Sequence, residues 1–220
     1  MFTKVSVLIP TRRRLDRLRT MLTSYEATVN DAGNSELVFR IDDDDTETQE
    51  FLFHHRAVVG PRFKGYDSMP VFLNEMSVAA NGDVLMLGND DMIFKTPGWP
   101  RMILDAANNY PDGLFDLGVM THNADHYPFA TVSRKAAECM GFMVDPRIFW
   151  SDIFLRDVMA AFGRCVMVPQ VEIEHDWAGW KPDSVFLESD KDIMARDPDY
   201  WTGTHATAVT DAVIKLRALT

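Results

Sequence analysis

The sequence predicts an α/β domain, a mostly parallel sheet flanked by helices in a single domain. Three observations predict it. Short apolar, β-branched runs alternate with amphipathic stretches from the first residues onward, as in strand–helix–strand units with right-handed crossovers. Two of these runs end directly in carboxylates, Ile41-Asp42-Asp43-Asp44-Asp45 and Leu87-Gly88-Asn89-Asp90-Asp91, and open α/β sheets bind ligands at the C-terminal ends of their strands. A length of 220 residues, with 46% hydrophobic and 25% charged residues, suits one domain with a full core.

Each element has its own signal. Val5-Ser6-Val7-Leu8-Ile9 is a β-branched first strand ended by Pro10. Thr11 to Tyr25 reads as a helix, with Leu15, Leu18, Met21 and Leu22 at three- and four-residue spacing among five arginines. Glu36 to Ile41 is the second strand, and Ala57 to Gly60 a short third. Met69 to Ala80 is helical, with Phe72, Leu73 and Met76 inward, and leads into the strand Val84 to Leu87. Pro97-Gly98-Trp99 precedes a helix from Pro100 to Asn108. Leu114 to Met120 and Phe129 to Ser133 are candidate strands, Arg134 to Met140 and Ser151 to Phe162 helices. Cys165 to Val168 and the alternating Val171 to Trp177 are late strands, and a last helix runs from about Thr207 to Leu219. Residues 1–95 form a ligand-binding half, 96–180 a second half, and 181–220 a helical extension.

Composition excludes several classes. No apolar run approaches the roughly 18 residues of a membrane span, and Met1-Phe2-Thr3-Lys4 leads straight into strand-like sequence, so neither a transmembrane segment nor a signal peptide is expected and the localisation expected is cytoplasmic. Cys139 and Cys165 form no CxxC or Cys/His cluster and read as reduced structural thiols. A formal net charge of −11 argues against a broad nucleic-acid footprint.

The paired carboxylates carry the chemistry. Adjacent aspartates at a strand end repel each other unless a cation or a donor network shares the site, and hard oxygen ligands imply Mg2+ or Mn2+ bound together with substrate phosphates. The tripeptide Asn89-Asp90-Asp91 also fits a solvated turn capping the next helix, and by itself leaves both readings open.

Four features nevertheless fall in order: Pro10-Thr11-Arg12-Arg13 after the first strand, Asp42-Asp43 after the second, Asn89-Asp90-Asp91 after a later one, and Trp150-Ser151-Asp152 opening a helix. This order resembles the GT-A glycosyltransferases, whose sheet is Rossmann-like, and within them the inverting family-2-like enzymes; it covers residues 3 to 177. The resemblance implies a metal-dependent, inverting transfer of a sugar from a nucleoside diphosphate sugar, UDP-linked by the same analogy. The acceptor would be a hydroxyl on a glycan or small molecule, with protein or nucleic acid less favoured.

It also implies roles. Pro10, Thr11 and Arg13 match the loop that holds the nucleoside, as do Asp42 and Asp43. Asp43 is the member expected to accept the base's imide N–H, with Asp44 and Asp45 a solvated turn capping a helix near Thr46. Asn89, Asp90 and Asp91 match the metal motif with Asn in place of the first Asp. Asp91 is expected on Mn2+ or Mg2+, Asp90 on sugar, ribose or a metal-bound water. His175, ending the alternating strand, matches a late metal-ligating histidine.

Asp152 matches the general base, at a helix start where negative charge is favoured, with Ser151 as its cap. Trp150 and Phe149 before it read equally as core or as a wall for a sugar ring. Many relatives carry a diphosphate-binding Arg in the helix before the metal strand. Ser68-Met69-Pro70 stands there instead, leaving Arg62 and Lys64 as the nearest cations, with Lys64 assigned to the donor. By the same resemblance His122 to Tyr127 lies where acceptor or donor-sugar contacts fall, and it also reads as a polar surface loop.

Rival readings are a nucleotide-sugar-binding protein of the same fold without turnover, and a sugar-phosphate nucleotidyltransferase. The second requires a Gly-rich phosphate loop that Pro10-Thr11-Arg12-Arg13-Arg14 lacks. A phosphohydrolase lacks its dense His/Asp clusters.

Overall fold

The computed structural model describes residues 1–62, 68–121, 128–176 and 197–219. Its first half consists of β1 (Val5–Thr11), α1 (Leu15–Thr28), β2 (Ser35–Asp42), α2 (Thr46–Phe51), β3 (Arg56–Gly60), α3 (Ser68–Ala79), β4 (Val84–Leu87) and β5 (Met92–Phe94). The second half adds α4 (Trp99–Ala107), β6 (Asp116–Met120), β7 (Thr131–Ser133), α5 (Arg134–Met140), α6 (Ser151–Phe162), β8 (Cys165–His175), a π-type turn (Trp201–His205) and α7 (Ala206–Arg217). All eight strands form one sheet in the order β3-β2-β1-β4-β7-β6-β8-β5.

The sheet is parallel from β3 to β4, as the strand–helix alternation predicts. Beyond β4 it is mixed, since β7 pairs antiparallel with both β4 and β6, and β5 antiparallel with β8. β4 and β6 therefore point the same way, and β8 is parallel to β6. The C-terminal ends of β1, β2, β4, β6 and β8 share one edge. α6 returns the chain to the start of β8, which pairs with the start of β6. The first turn of α6 thus lies at that same edge, where the candidate site forms.

Two apolar layers cover the sheet. Leu18, Met21, Trp99, Ile103 and Leu104 from α1 and α4 pack on one face with Val7, Ile9 and Phe39. Leu73, Met76, Phe154, Val158, Ala212 and Leu216 from α3, α6 and α7 pack on the other with Leu8, Val38 and Leu85. Val5 to Ile9 is fully buried, which is why the run is apolar except for Ser6, whose buried hydroxyl donates to Glu36 at 2.7 Å.

Several boundaries differ from the sequence reading, each for a local reason. The first strand continues through Pro10 to Thr11, in register with Arg40 and Ile41 of β2. Proline is tolerated there because β4 stops at Leu87, opposite Leu8, so this stretch of β1 has a neighbour on one side only. The helix expected from Thr11 begins four residues later at Leu15, because Arg13 adopts the left-handed conformation (φ 53°) and turns the chain first. The two late strands are one, β8, whose pairing with β6 shifts register between Val119 and Met120. β5 was too short to register as a strand in the sequence. Trp150, not Ser151, precedes the first turn of α6, and no side chain caps that end.

Asp116, at the start of β6, is fully buried and accepts a hydrogen bond from the Thr131 N–H at 2.8 Å. Burial pushes its carboxyl up to about 6, against the pull of that N–H, the Cys165 thiol and Arg156. An unfolded aspartate titrates near 3.9. Between about pH 4 and 6 the folded chain therefore keeps a proton the unfolded chain has lost, and stability from this site declines as pH rises through that window. Asp116→Asn retains an acceptor for Thr131 without the charge. The variant is expected to exceed the wild type at pH 8 by about 2–3 kcal/mol in denaturant unfolding, at roughly 1.4 kcal/mol per unit, with the gap closing towards pH 4. A variant less stable at pH 8 would refute this account of Asp116.

Candidate active site

The site is built from the ends of β1, β2, β4 and β8. After Leu87 the chain turns within Asn89-Asp90-Asp91-Met92, closed by the Met92 N–H donating to the Asn89 carbonyl at 3.3 Å. Gly88 permits this. A Cβ there would lie 2.7 Å from Val7 Cγ1 and 3.0 Å from both Ile9 Cγ1 and Met92 Sδ, so only glycine lets the turn fold back on β1. β5 then pairs antiparallel with β8 in the register Met92↔His175, and the Asp176 N–H donates to the Asp91 carbonyl at 2.9 Å. That pairing brings His175 onto Asp91, 84 positions away in the sequence.

The result is a buried carboxylate pair held from two sides. Asp90, 3% exposed, accepts from Thr11 Oγ1 at 2.9 Å through Oδ2 and from the Arg14 guanidinium at 2.9 Å through Oδ1. Burial raises its carboxyl above the ordinary value, an effect augmented by Asp91 and opposed by Arg14 and Thr11. Asp91, 9% exposed, holds Arg17 at 3.0 Å on Oδ2. Its Oδ1 lies 3.0 Å from His175 Nε2, and among the described residues no other donor reaches that buried oxygen. Asn89 Nδ2 lies 3.5 Å from the same His175 nitrogen, and the Phe129 ring meets the imidazole edge-on.

Arg14 and Arg17 were read from the sequence only as polar residues of the first helix. Arg14 stands at the N-cap of α1 and Arg17 in its first turn, so both reach the end of β4, and a cluster of arginines just after a strand end is the signal that could have paired them with Asp90 and Asp91.

At the end of β2, Asp42 is buried and bonded by Arg12 (2.9 Å), while Arg12 also grips Asp44 through both guanidinium nitrogens. That pairing lowers the Asp44 carboxyl. Asp43 is exposed, with its N–H on the Gly60 carbonyl (2.8 Å). Asp45 departs from the solvated turn expected of it. It is buried, caps α2 through the Thr48 N–H, and accepts the Arg13 N–H at 2.7 Å, so it ties the loop after β1 to the loop after β2. The Arg13 guanidinium itself is largely exposed, 4.0 Å from Asp44.

Behind them Arg40 is fully buried. It donates to Glu75 (2.6 Å), to the carbonyls of Ile41 (2.6 Å) and Pro61 (2.9 Å), and stacks over Phe72 at 4.3 Å. A Cβ on Gly60 would come within 2.9 Å of this guanidinium.

The structure thus brings together Thr11, Asn89, Asp90, Asp91 and His175, and aligns Pro10, Arg13, Asp42 and Asp43 beside them. Asp152 stands in the first turn of α6, partly exposed, at the same edge. Its approach is fixed by Asn74, which donates to the Val144 carbonyl and accepts the N–H groups of Met143 and Val144, and by the Phe149 N–H donating to Tyr200 Oη at 2.9 Å. Trp150 belongs with the core on one side and stacks on Trp201 on the other, ring centroids 4.8 Å apart. Lys64 and the stretch His122 to Tyr127 lie outside the described residues.

No protein-family model and no curated protein matches the chain. Solved structures do. The mannosyltransferase PcManGT from Pyrobaculum calidifontis, in complex with GDP-Man and Mn2+, superposes with a TM-score of 0.62 at 14% identity, over 98% of this chain and 74% of that one. Glucosyl-3-phosphoglycerate synthase from Mycobacterium tuberculosis, in complex with Mn2+, uridine diphosphate and phosphoglyceric acid, gives 0.56 at 15%, over 88% and 78%. S. aureus TarS gives 0.59 at 13%, over 88% of this chain but only 39% of TarS.

The fold is GT-A. At these identities the likeness is one of backbone, and it matches the fold that the order of motifs implied. Within the GT-A sheet, the Asp90-Asp91 turn sits at the end of the strand next to β1. No described helix is long and apolar enough to cross a membrane.

Thr11→Val keeps the shape of the side chain and removes the hydroxyl that donates to buried Asp90. It is expected to cost about 1–3 kcal/mol in urea unfolding, the penalty for an unsatisfied buried acceptor. A neutral substitution would show that Arg14 alone satisfies Asp90.

Proposed function

We propose that this GT-A protein is a glycosyltransferase that moves a sugar from a nucleoside diphosphate, UDP for preference, to a hydroxyl acceptor with inversion and with help from a divalent cation. One observation supports this above the rest: buried Asp91 Oδ1 and His175 Nε2 face each other at 3.0 Å, and no other donor among the described residues reaches that oxygen. Adjacent ligands on an octahedral ion with bonds of about 2.1 Å stand about 3.0 Å apart, so the pair fits two neighbouring corners of a Mn2+ or Mg2+ shell. No third His, Cys, Asp or Glu joins them among the described residues, which suits an ion that takes its remaining ligands from water and phosphate. Mn2+ also accompanies the nucleotide ligands of PcManGT and the mycobacterial synthase.

When bound, the ion would neutralise charge on the departing diphosphate. The chain's own residues do the rest in this reading. The ends of β1 and β2, with Asp43 exposed beside Asp42, receive the nucleoside, and Asp43 accepts the imide N–H of uracil. Asp90, held by Thr11 and Arg14, faces the ribose or donor sugar. Asp152 takes the acceptor hydroxyl's proton as its oxygen bonds to the anomeric carbon from the face opposite the leaving diphosphate. The carbon–oxygen bond to phosphate breaks, the electron pair leaves with the nucleoside diphosphate, and the proton remains on the Asp152 carboxyl.

Two measurements test this. In a thermal-shift panel, UDP with Mn2+ is expected to raise the melting temperature well above either alone, since ligand at about 100 times Kd stabilises by roughly 2.7 kcal/mol. Asp91→Ala should abolish the metal-dependent part. Nucleotide affinity unchanged by EDTA in the wild type would sink the metal assignment.

Asp152→Asn should fold and bind donor and metal as the wild type does, yet lose transfer by roughly 10²–10⁴-fold, the contribution of a general base. Near-normal transfer by the variant would move the base elsewhere. Wild-type chain that binds UDP-sugar but neither transfers nor hydrolyses it would favour a nucleotide-sugar-binding protein instead.

A further inference from the structure

We propose that Arg17 keeps Asp91 in a charge-neutral cluster which a divalent cation enters only in company with a diphosphate, so that Arg17 couples metal binding to nucleotide binding. The inference rests on the glycosyltransferase reading and goes beyond it by assigning a role to a residue of α1 that no sequence motif marks.

The cluster contains two carboxylates and two guanidinium groups. Arg14, at the N-cap of α1, pairs with Asp90 at 2.9 Å, and Arg17, in the first turn, with Asp91 at 3.0 Å. Their formal charges sum to zero. A cation approaching Asp91 Oδ1 and His175 Nε2 is drawn by two carboxylates and repelled by two guanidinium groups within a few ångströms. Asp91 is more than nine-tenths buried, so solvent screens this repulsion poorly.

A diphosphate reverses the balance. It supplies the negative charge that the cluster lacks for a divalent ion. The Arg17 guanidinium, about one-quarter exposed, has further N–H groups with which to grip a phosphate oxygen while one stays on Asp91.

Arg17 is the coupling residue rather than Arg14 because its partner is the carboxylate facing His175, whereas Arg14 and Thr11 together hold Asp90. Among the described residues, α3 offers no cation in its first turn, where Ser68-Met69-Pro70 stands. Coupling of this kind is reciprocal: the factor by which UDP tightens Mn2+ is the factor by which Mn2+ tightens UDP.

The test compares the full-length wild type with Arg17→Met and Arg17→Lys. Free Mn2+ is titrated by electron paramagnetic resonance, with and without UDP, and UDP by calorimetry, with Mn2+ and with EDTA. The wild type should bind Mn2+ alone weakly and with UDP much more tightly. Arg17→Met should bind Mn2+ alone at least roughly tenfold more tightly and show a coupling factor at least roughly tenfold smaller, the size of a typical coupling. Arg17→Lys, which keeps the charge, should stay nearer the wild type.

Equal or weaker binding of Mn2+ alone by Arg17→Met overturns the proposal, as does a wild type whose Mn2+ affinity ignores UDP. If neither UDP nor GDP binds any form, the nucleotide reading fails, while tighter Mn2+ binding by Arg17→Met would still uphold the Arg17–Asp91 part. Should Arg17→Met not fold, Arg17→Gln gives the same comparison.

Discussion

The rest of the site depends on burying Asp90 and Asp91 side by side at the end of β4. Two adjacent carboxylates withdrawn from water cost several kcal/mol each unless donors and opposite charges meet them. Here the donors arrive from the end of β1 and the start of α1, through Thr11, the N-cap Arg14 and Arg17. That geometry explains why the helix starts late. Had it begun at Thr11, the arginine face would turn elsewhere. The left-handed Arg13 resets the phase, and its own N–H is anchored by Asp45 from the far side of β2.

The second acidic corner is organised on the same principle, with a different division of labour. Arg12 spans Asp42 and Asp44 on the solvent side, and Arg40 supports the strand from within, between Glu75, two backbone carbonyls and the Phe72 ring. A fully buried guanidinium held by a carboxylate, backbone carbonyls and an aromatic face is a rigid strut. It fixes where β2 ends, and hence where Asp42 and Asp43 are presented. A chain of net charge −11 thus spends many of its arginines at one edge of its sheet, where they hold carboxylates in fixed positions instead of solvating the surface.

Backbone likeness to glycosyltransferases persists at 13–15% identity because the fold needs buried strands of the right length more than particular residues. What such likeness leaves to each chain is the side-chain lining of the edge. Here the cations beside Asp90 and Asp91 are Arg14 and Arg17, at the start of α1, and the first turn of α3, Ser68-Met69-Pro70, carries none.

Much of this was legible in one dimension. Mostly apolar runs, β-branched in β1, marked the central strands, since a strand covered on both faces is built mainly of such residues. β4, α5 and α6 came out at their observed bounds because turn residues punctuate them. That Thr11, Asp42-Asp43 and Asn89-Asp90-Asp91 stand at strand ends on one edge was readable because short apolar runs lead directly into them. What the sequence could not determine is who meets whom. The pairing of Asp91 with His175 follows from the Met92↔His175 register of two strands far apart in the chain. The pairing of Arg14 and Arg17 with the carboxylates follows from the phase of a helix set by one left-handed residue. Local propensity acts over a few neighbours and fixes elements; long-range register and helix phase are chosen by burial of the whole sheet, and only the folded structure decides them.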